Sequence, residues 1–241
     1  MESPRYNTKY RLGIIVPSLN VTIEPEFNAV APEDLSIHAT RLLLRRGSGK
    51  DLVNMAKDTE NACKMLDSAE VDAILYACTT GSLIGGKIWE KQLEQRMKES
   101  SSVPVITTAA AVLDALTTLK LRKVAVGTPY AKELNNAELR FLEENGFEVT
   151  KIEGLGYTKG APLHAELPET TVKLARAVDS PDAEGIFLSC TDLKTMTVIQ
   201  RIEKELGKPV VTSNAASLWL SLKAMKRNGR LNGYGTLLAK H

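Results

Sequence analysis

A chain of 241 residues can bury one large core or two modest ones. Charged residues make up 25% of it and the formal net charge is +2, which excludes the electrostatic footprint that nucleic acid or anionic lipid requires. Its start, Met1-Glu2-Ser3-Pro4-Arg5-Tyr6, leads into a short apolar run ending at Pro17. That run has neither a signal-peptide core nor a stretch of about 20 apolar residues, so a cytoplasmic chain without membrane association is expected.

Taken in chain order, short β-branched runs alternate with longer segments of helical period, the pattern of βαβ units on a parallel sheet. Strands are predicted at 12–16, 35–43, 73–77, 103–107, 124–127, 147–153, 185–189 and 210–212. Helices are predicted at 51–68, 87–98, 109–119, 131–144, 169–178, 194–205 and 215–226, with another around Pro25 and Phe27. The class is α/β with doubly wound, flavodoxin-like parallel sheets.

An internal repeat refines this. A single offset of 112 residues separates Pro17 from Pro129 and Cys78 from Cys190, each at a strand end. The run Pro104-Val105-Ile106-Thr107-Thr108-Ala109-Ala110-Ala111 is echoed by Pro209-Val210-Val211-Thr212-Ser213-Asn214-Ala215-Ala216 at an offset of 105. Duplicated α/β halves explain both offsets, one formed by residues 1–106 plus 215–241 and the other by 107–214. An approximate twofold axis then sets equivalent strand ends face to face. Ligands of open α/β sheets bind beyond those ends, so a cleft with one cysteine on each wall is expected.

Three cysteines is an odd count in a chain too large to need disulfide staples, which implies free thiols. Cys78, in Tyr76-Ala77-Cys78-Thr79-Thr80-Gly81-Ser82, sits where a strand turns into a helix. Unpaired N–H groups and a helix dipole there favour thiolate over thiol. Cys190, in Phe187-Leu188-Ser189-Cys190-Thr191-Asp192-Leu193, has the same setting. The bland alternative is a small buried hydrophobe; the matched positions favour chemistry. Cys63 lies in a helical run with Met55, Ala62 and Leu66, and is expected to be core.

The first turn carries Ser18, Asn20 and Thr22. Helix capping accounts for one of them, Asn20 or Thr22, while the cleft-facing position makes Asn20 a candidate carboxylate binder. In the matching loop Thr128-Pro129-Tyr130 offers a phenol, with a buried core tyrosine as the rival reading. Such neutral donors suit an anionic substrate without adding a titrating group. The glycine-rich run Gly81 to Gly86 lacks dinucleotide spacing and a Walker lysine. His38, His164 and His241 are scattered, and no Cys or His pair has metal-ligand spacing. No cofactor and no metal are expected. Arg45, Arg46 and Lys50 form a basic loop that could rim the cleft.

These residues resemble the aspartate/glutamate racemase superfamily, and within it the branch containing maleate cis-trans isomerase and arylmalonate decarboxylase. The resemblance rests on Val16-Pro17-Ser18-Leu19-Asn20, Ala77-Cys78-Thr79-Thr80-Gly81, Thr128-Pro129-Tyr130 with Glu133-Leu134-Asn135, Ser189-Cys190-Thr191, and Gly233-Tyr234-Gly235. The decarboxylase keeps only the second cysteine, so Cys78 points toward the isomerase or a racemase. The resemblance implies that Cys78 adds to a substrate double bond, giving a succinyl-type adduct, while Cys190 handles the proton. It implies that Asn20 and Tyr130 hold carboxylates, with Pro17 and Ser18 beside them. Amides from Cys78 through Thr79 and Thr80 to Gly81, and from Cys190 to Thr191, complete the cradle. One departure stands out. Relatives place an Asp-Asn pair after Gly-Leu-Gly, whereas here Gly160 takes the Asn position, leaving His164 or Lys159 to contact the substrate.

Three functions are open at this point. One is cis-trans isomerisation of a small unsaturated dicarboxylate. A second is racemisation of an amino acid or related α-substituted acid, each thiol serving one face. The third is a decarboxylase of the same branch or a non-catalytic binding or metabolic-accessory protein of it, for example an ectoine-utilisation protein. Apolar helices in a chain with few aromatics, and relatives that associate, suggest a homodimer or higher homo-oligomer.

Overall fold

Among the described residues, 8–241 of a computed structural model, eight strands form two four-stranded parallel sheets of one topology. The segment Met1–Tyr6, read above as carrying no leader, lies outside them. The first sheet joins β1 (Tyr10–Pro17), β2 (Leu35–Leu42), β3 (Ala73–Tyr76) and β4 (Val105–Thr107) in the order β2-β1-β3-β4. The second repeats it with β5 (Lys123–Tyr130), β6 (Glu148–Tyr157), β7 (Gly185–Leu188) and β8 (Val210–Thr212), ordered β6-β5-β7-β8. The registers repeat as well: Leu12 pairs with Ala73, and Val124 pairs with Gly185. Helices cover these sheets, so the inner strands are buried on both faces and read as continuous apolar runs such as Ala73-Ile74-Leu75-Tyr76.

Several boundaries differ from expectation. The helix expected at 51–68 is two, α2 (Gly49–Met55) and α3 (Thr59–Asp67), separated by a 3-10 turn at Ala56–Asp58. Ala56 and Thr59 are fully buried there, and the break re-aims α3 onto β1 and β2. The helix expected from 194 begins only at Ile199, as α10 (Ile199–Leu206). The amides of Thr195 and Met196 are taken instead by the carboxylate of Glu26, at 2.6 and 2.9 Å. β6 runs on to Tyr157 because β5 and β6 stay paired through two register shifts as far as Tyr130 and Tyr157. The glycine-rich run after Cys78 contains a short helix, α4 (Thr79–Leu83), before α5 (Gly86–Glu99).

The remaining helices are α1 (Ile23–Val30), α6 (Thr108–Thr118), α7 (Lys132–Glu144), α8 (Gly160–Ala165), α9 (Pro168–Val178), α11 (Ser213–Ala224) and α12 (Gly235–Lys240). α6 and α11, each the continuation of an edge strand, pack against one another. Their equivalence is the 105-residue echo seen in the sequence. α11 is buried nearly all round, through Ser213, Asn214, Ala216, Ser217 and Ser221 as well as Leu218 and Trp219, and so shows no amphipathic stripe. Its serines find partners: Ser217 Oγ lies 3.2 Å from Thr108 Oγ1. Among the described residues no helix is long and apolar enough to cross a membrane.

Candidate active site

At the carboxyl ends of β1, β3, β5 and β7 the two halves enclose a cavity of about 90 Å³. Drug-sized ligands occupy pockets of roughly 300–1,000 Å³, so only a small molecule fits. Pro17, Asn20, Cys78, Thr79, Thr80, Tyr130, Cys190 and Thr191 line it.

Cys78 is the N-cap of α4, and its Sγ accepts the Gly81 N–H at 3.3 Å. The hydroxyl of Thr80 also bonds the thiol. These contacts favour the thiolate, as the sequence suggested, but burial outweighs them and pushes Cys78 up to about 11. The expectation of a lowered thiol is therefore corrected: one amide from a five-residue helix does not replace the water removed. Cys190 has a different setting from Cys78, since no helix follows it and its φ is +124°. Its N–H donates to Ser213 Oγ at 3.0 Å, and its Sγ accepts the Asp192 N–H at 3.3 Å. Burial and then the Asp192 charge push this thiol up, against a hydrogen bond from the Tyr130 hydroxyl. Cys63 is fully buried in the core, pushed up to about 12 by burial and by Glu60 and Asp67.

Asn20 combines both roles weighed for it. Its Oδ1 accepts the N–H groups of Thr22 and Ile23 at 2.9 and 3.0 Å, capping α1, while Nδ2 donates to Thr191 Oγ1 at 2.9 Å. Thr191 in turn donates to the Ala77 carbonyl at 3.0 Å. A second chain runs from Thr79 Oγ1 to Ser213 Oγ at 2.8 Å and on to the Cys190 amide. The walls are thus tied to each other at two levels.

Three expected residues act one step back from the cavity wall. Ser18 Oγ holds the backbone of Leu44, accepting its N–H at 2.9 Å and donating to its carbonyl at 3.2 Å, which sets Leu44 into the lining. Gly81 contributes through its amide on Cys78. His164 reaches the site through Asp192, with Nε2 3.0 Å from Oδ2. Asp192 itself lines the cavity and was not singled out, although it follows the Cys190-Thr191 pair directly. Its Oδ1 accepts the Val21 N–H at 2.9 Å, and burial is the main influence that raises its carboxyl. At Gly160 a side chain would meet the His164 ring at 3.0 Å, so the imidazole occupies the space next to the missing Asn. Lys159 lines both the cavity and an outer hollow of about 340 Å³ that also includes Arg46, Tyr157 and Thr158. Of the basic loop, Arg46 rims the entrance while Arg45 and Lys50 do not.

Two thiols face a space for a few heavy atoms, among neutral donors from Asn20, Thr80 and Tyr130. Such a site can add sulfur to an electrophilic carbon, or move a proton on and off carbon, with a carboxylate held nearby. Among the described residues no group of three His, Cys, Asp or Glu side chains could hold a metal.

Known proteins are similar to this chain over nearly its whole length. The chain is 28% identical over 243 residues to a maleate isomerase of Pseudomonas putida, covering 95% of this chain and 97% of that one. It is 28% identical over 229 residues to an arylmalonate decarboxylase of Bordetella bronchiseptica, covering 94% and 95%. Its fold superposes with a TM-score of 0.92, at 25% identity and over 96% and 99% of the two chains, on a cysteine-to-serine variant of Nocardia farcinica maleate cis-trans isomerase with a covalently bound succinylcysteine intermediate. The arylmalonate decarboxylase family model matches residues 12–238, and with nearly the whole chain inside that match the protein belongs to this family.

Proposed function

We propose that the protein is a cofactor-independent isomerase of a small unsaturated carboxylate, acting as maleate cis-trans isomerases do. The observation that carries this reading is the pair of buried thiols at equivalent strand ends, facing one small cavity. Cys78 gives its proton to solvent before substrate binds and, as a thiolate held by the Gly81 amide and the Thr80 hydroxyl, bonds one alkene carbon through its sulfur, while the π electrons move to the neighbouring carbon beside a carboxylate. Cys190 delivers its proton to that carbon, giving a thioether with a freely rotating central bond. After rotation Cys190 takes the proton back, the C–C double bond re-forms, and the Cys78–carbon bond breaks. Asn20 Nδ2, the Tyr130 hydroxyl and the backbone amides of Thr79, Thr80 and Thr191 hold the carboxylates, while Gly81 acts through its amide on the Cys78 sulfur. Pro17 and Ser18 shape the wall, and His164 acts through Asp192.

A second reading, racemisation of an α-substituted acid, draws support from Asp192. A buried carboxylate in the wall suits an ammonium or hydroxyl on the substrate better than a second carboxylate. The deciding experiment offers a panel of small carboxylates in deuterated water and follows them by NMR. Fumarate formed from maleate supports the isomerase, deuterium at an α-carbon of an unisomerised acid supports the racemase, and loss of a carboxyl group points to decarboxylation. No conversion of any acid would overturn both readings.

The same reading treats residues 1–106 with 215–241 as one half and 107–214 as the other, and takes the protein as a cytoplasmic homodimer. Light scattering checks the last point: a monomer mass across micromolar concentrations rules it out.

A further inference from the structure

The internal repeat pairs more than the cysteines. Glu26 on α1 and Glu138 on α7 stand at the same 112-residue offset, and the two carboxyls have opposite surroundings. Glu26 crosses to the other half, where Oε1 accepts the amides of Thr195 and Met196 and Oε2 accepts the Asn214 side chain at 2.6 Å. Around Glu138 the equivalent donors are gone. The segment after Cys78 is helix α4, and the Ile84 N–H just beyond it is already bonded to the Thr80 carbonyl at 2.9 Å. Ala109 stands where Asn214 stands in the other half, and it packs with Leu83, Ala137 and Phe141 as an apolar cluster.

Glu138 is fully buried, and neither of its carboxyl oxygens makes a hydrogen bond of ordinary geometry. The Ser189 hydroxyl, also buried and otherwise unpartnered, stands close enough to act on it. Ser189 immediately precedes Cys190. A Glu138 charge would also bear on Tyr130, whose hydroxyl bonds Cys190. An unpaired buried carboxylate is disfavoured far more than the neutral acid.

We infer that Glu138 is held as the neutral acid and is a positioning residue for the Cys190–Tyr130 wall, acting through Ser189, so that losing its proton makes Cys190 less reactive. Burial pushes the Glu138 carboxyl up to about 8, opposed only by Ser189. The elements packed on α7 add no charge to this: α4 carries none, neither Glu90 and Lys91 on α5, Lys123 on β5 nor Glu153 on β6 acts on it, and the phenols of Tyr130 and Tyr157, both pushed up, are neutral where Glu138 titrates. Glu90 is spoken for by Thr107 and Lys91, and Glu153 by Lys151.

The inference takes its functional meaning from the proposed role of Cys190, but its test does not need turnover. Iodoacetamide labelling of Cys190, read by peptide mass spectrometry from about pH 6 to about pH 10, is compared between the wild type and Glu138→Gln. The expected result is equal rates below about pH 7 and severalfold faster labelling of the variant above about pH 8, since one unit of thiol shift is a tenfold change in thiolate. Infrared difference spectra of the wild type should show a protonated carboxyl band at neutral pH that fades through about pH 8. Superimposable labelling profiles, or no such band at neutral pH, would overturn the inference; if Glu138→Gln does not fold, the infrared titration of the wild type decides. An enzyme inactive on every acid but showing the labelling difference loses the proposed function and keeps this inference. Turnover with identical profiles does the reverse.

Discussion

At Cys190 the backbone adopts φ +124°, a region that suits glycine. Holding a side chain there costs on the order of 1–3 kcal/mol, and it brings the Asp192 amide onto the sulfur. Cys190→Gly should therefore raise the melting temperature while removing proton transfer, a result read by calorimetry and activity together. Cys78→Ala should abolish turnover. Cys190→Ala should leave Cys78 able to add to substrate, trapping an adduct with the mass of the intact acid in mass spectrometry; full activity in Cys78→Ala would sink the two-thiol chemistry. Because burial raises Cys78, its labelling should be slow at neutral pH and climb toward about pH 11. A plateau below about pH 8 would contradict that. Both cysteines, Asn20 and Tyr130 were legible in the sequence because a repeat and a strand-end position mark them. Asp192 and Leu44 were not, since what brings them to the cavity is a backbone bend and the Ser18 hydroxyl. The direction of the thiol shift was misread for a related reason: dipoles can be inferred from neighbours along the chain, whereas desolvation depends on everything packed around the group.

Strand ends place these side chains, and β5 shows how narrow the tolerance is. The register shift that lets Tyr130 face the cavity brings its carbonyl against Gly154 of β6, where an added Cβ would lie 2.2 Å away. Gly154→Ala must push backbone rather than a flexible side chain. A destabilisation of roughly 1–3 kcal/mol is expected, together with a rise in KM as Tyr130 shifts. Thermal melts and steady-state kinetics check it; an unchanged KM would mean that Tyr130 does not hold substrate. Asn20→Ala joins the same two measurements, losing a cap worth about 1 kcal/mol and the bond to Thr191. Element type was readable wherever the apolar period was long. It failed at 51–68 and 194–205, where the deciding contacts are a tight turn at Ala56 and the Glu26 carboxylate from the other half, neither of which leaves a local period.

Across the whole molecule, buried acids make stability depend on pH. Glu138 has an ordinary value of 4.5 and stands at about 8 in the fold. The raised value means that its contribution is full below about pH 4.5 and is lost as pH rises through about 8. At about 1.4 kcal/mol per unit the swing is several kcal/mol. Urea midpoints between about pH 5 and pH 9 should fall in the wild type and stay flatter in Glu138→Gln; parallel slopes would show that the carboxyl is ionised in the native state. The fold as a whole was the most legible level, because duplication writes the same 2-1-3-4 sheet twice.

The bonds that stitch the two halves together also bear on how a substrate arrives. Asn20 to Thr191, Thr191 to Ala77, Thr79 to Ser213 and Glu26 to Thr195 all cross the cleft, and each is worth about 1 kcal/mol or more. Opening the molecule like a clamshell would break them together on every catalytic cycle. Entry therefore falls to the surface segments at the outer hollow, residues 44–48 and 157–160, whose movement leaves those bonds intact. A covalent staple between the halves placed away from the outer hollow should leave turnover untouched, whereas one at the hollow pinning residue 47 to residue 158, where a Cβ added at Gly47 would lie 4.0 Å from the Thr158 carbonyl oxygen, should slow admission and show as a fall in kcat/KM.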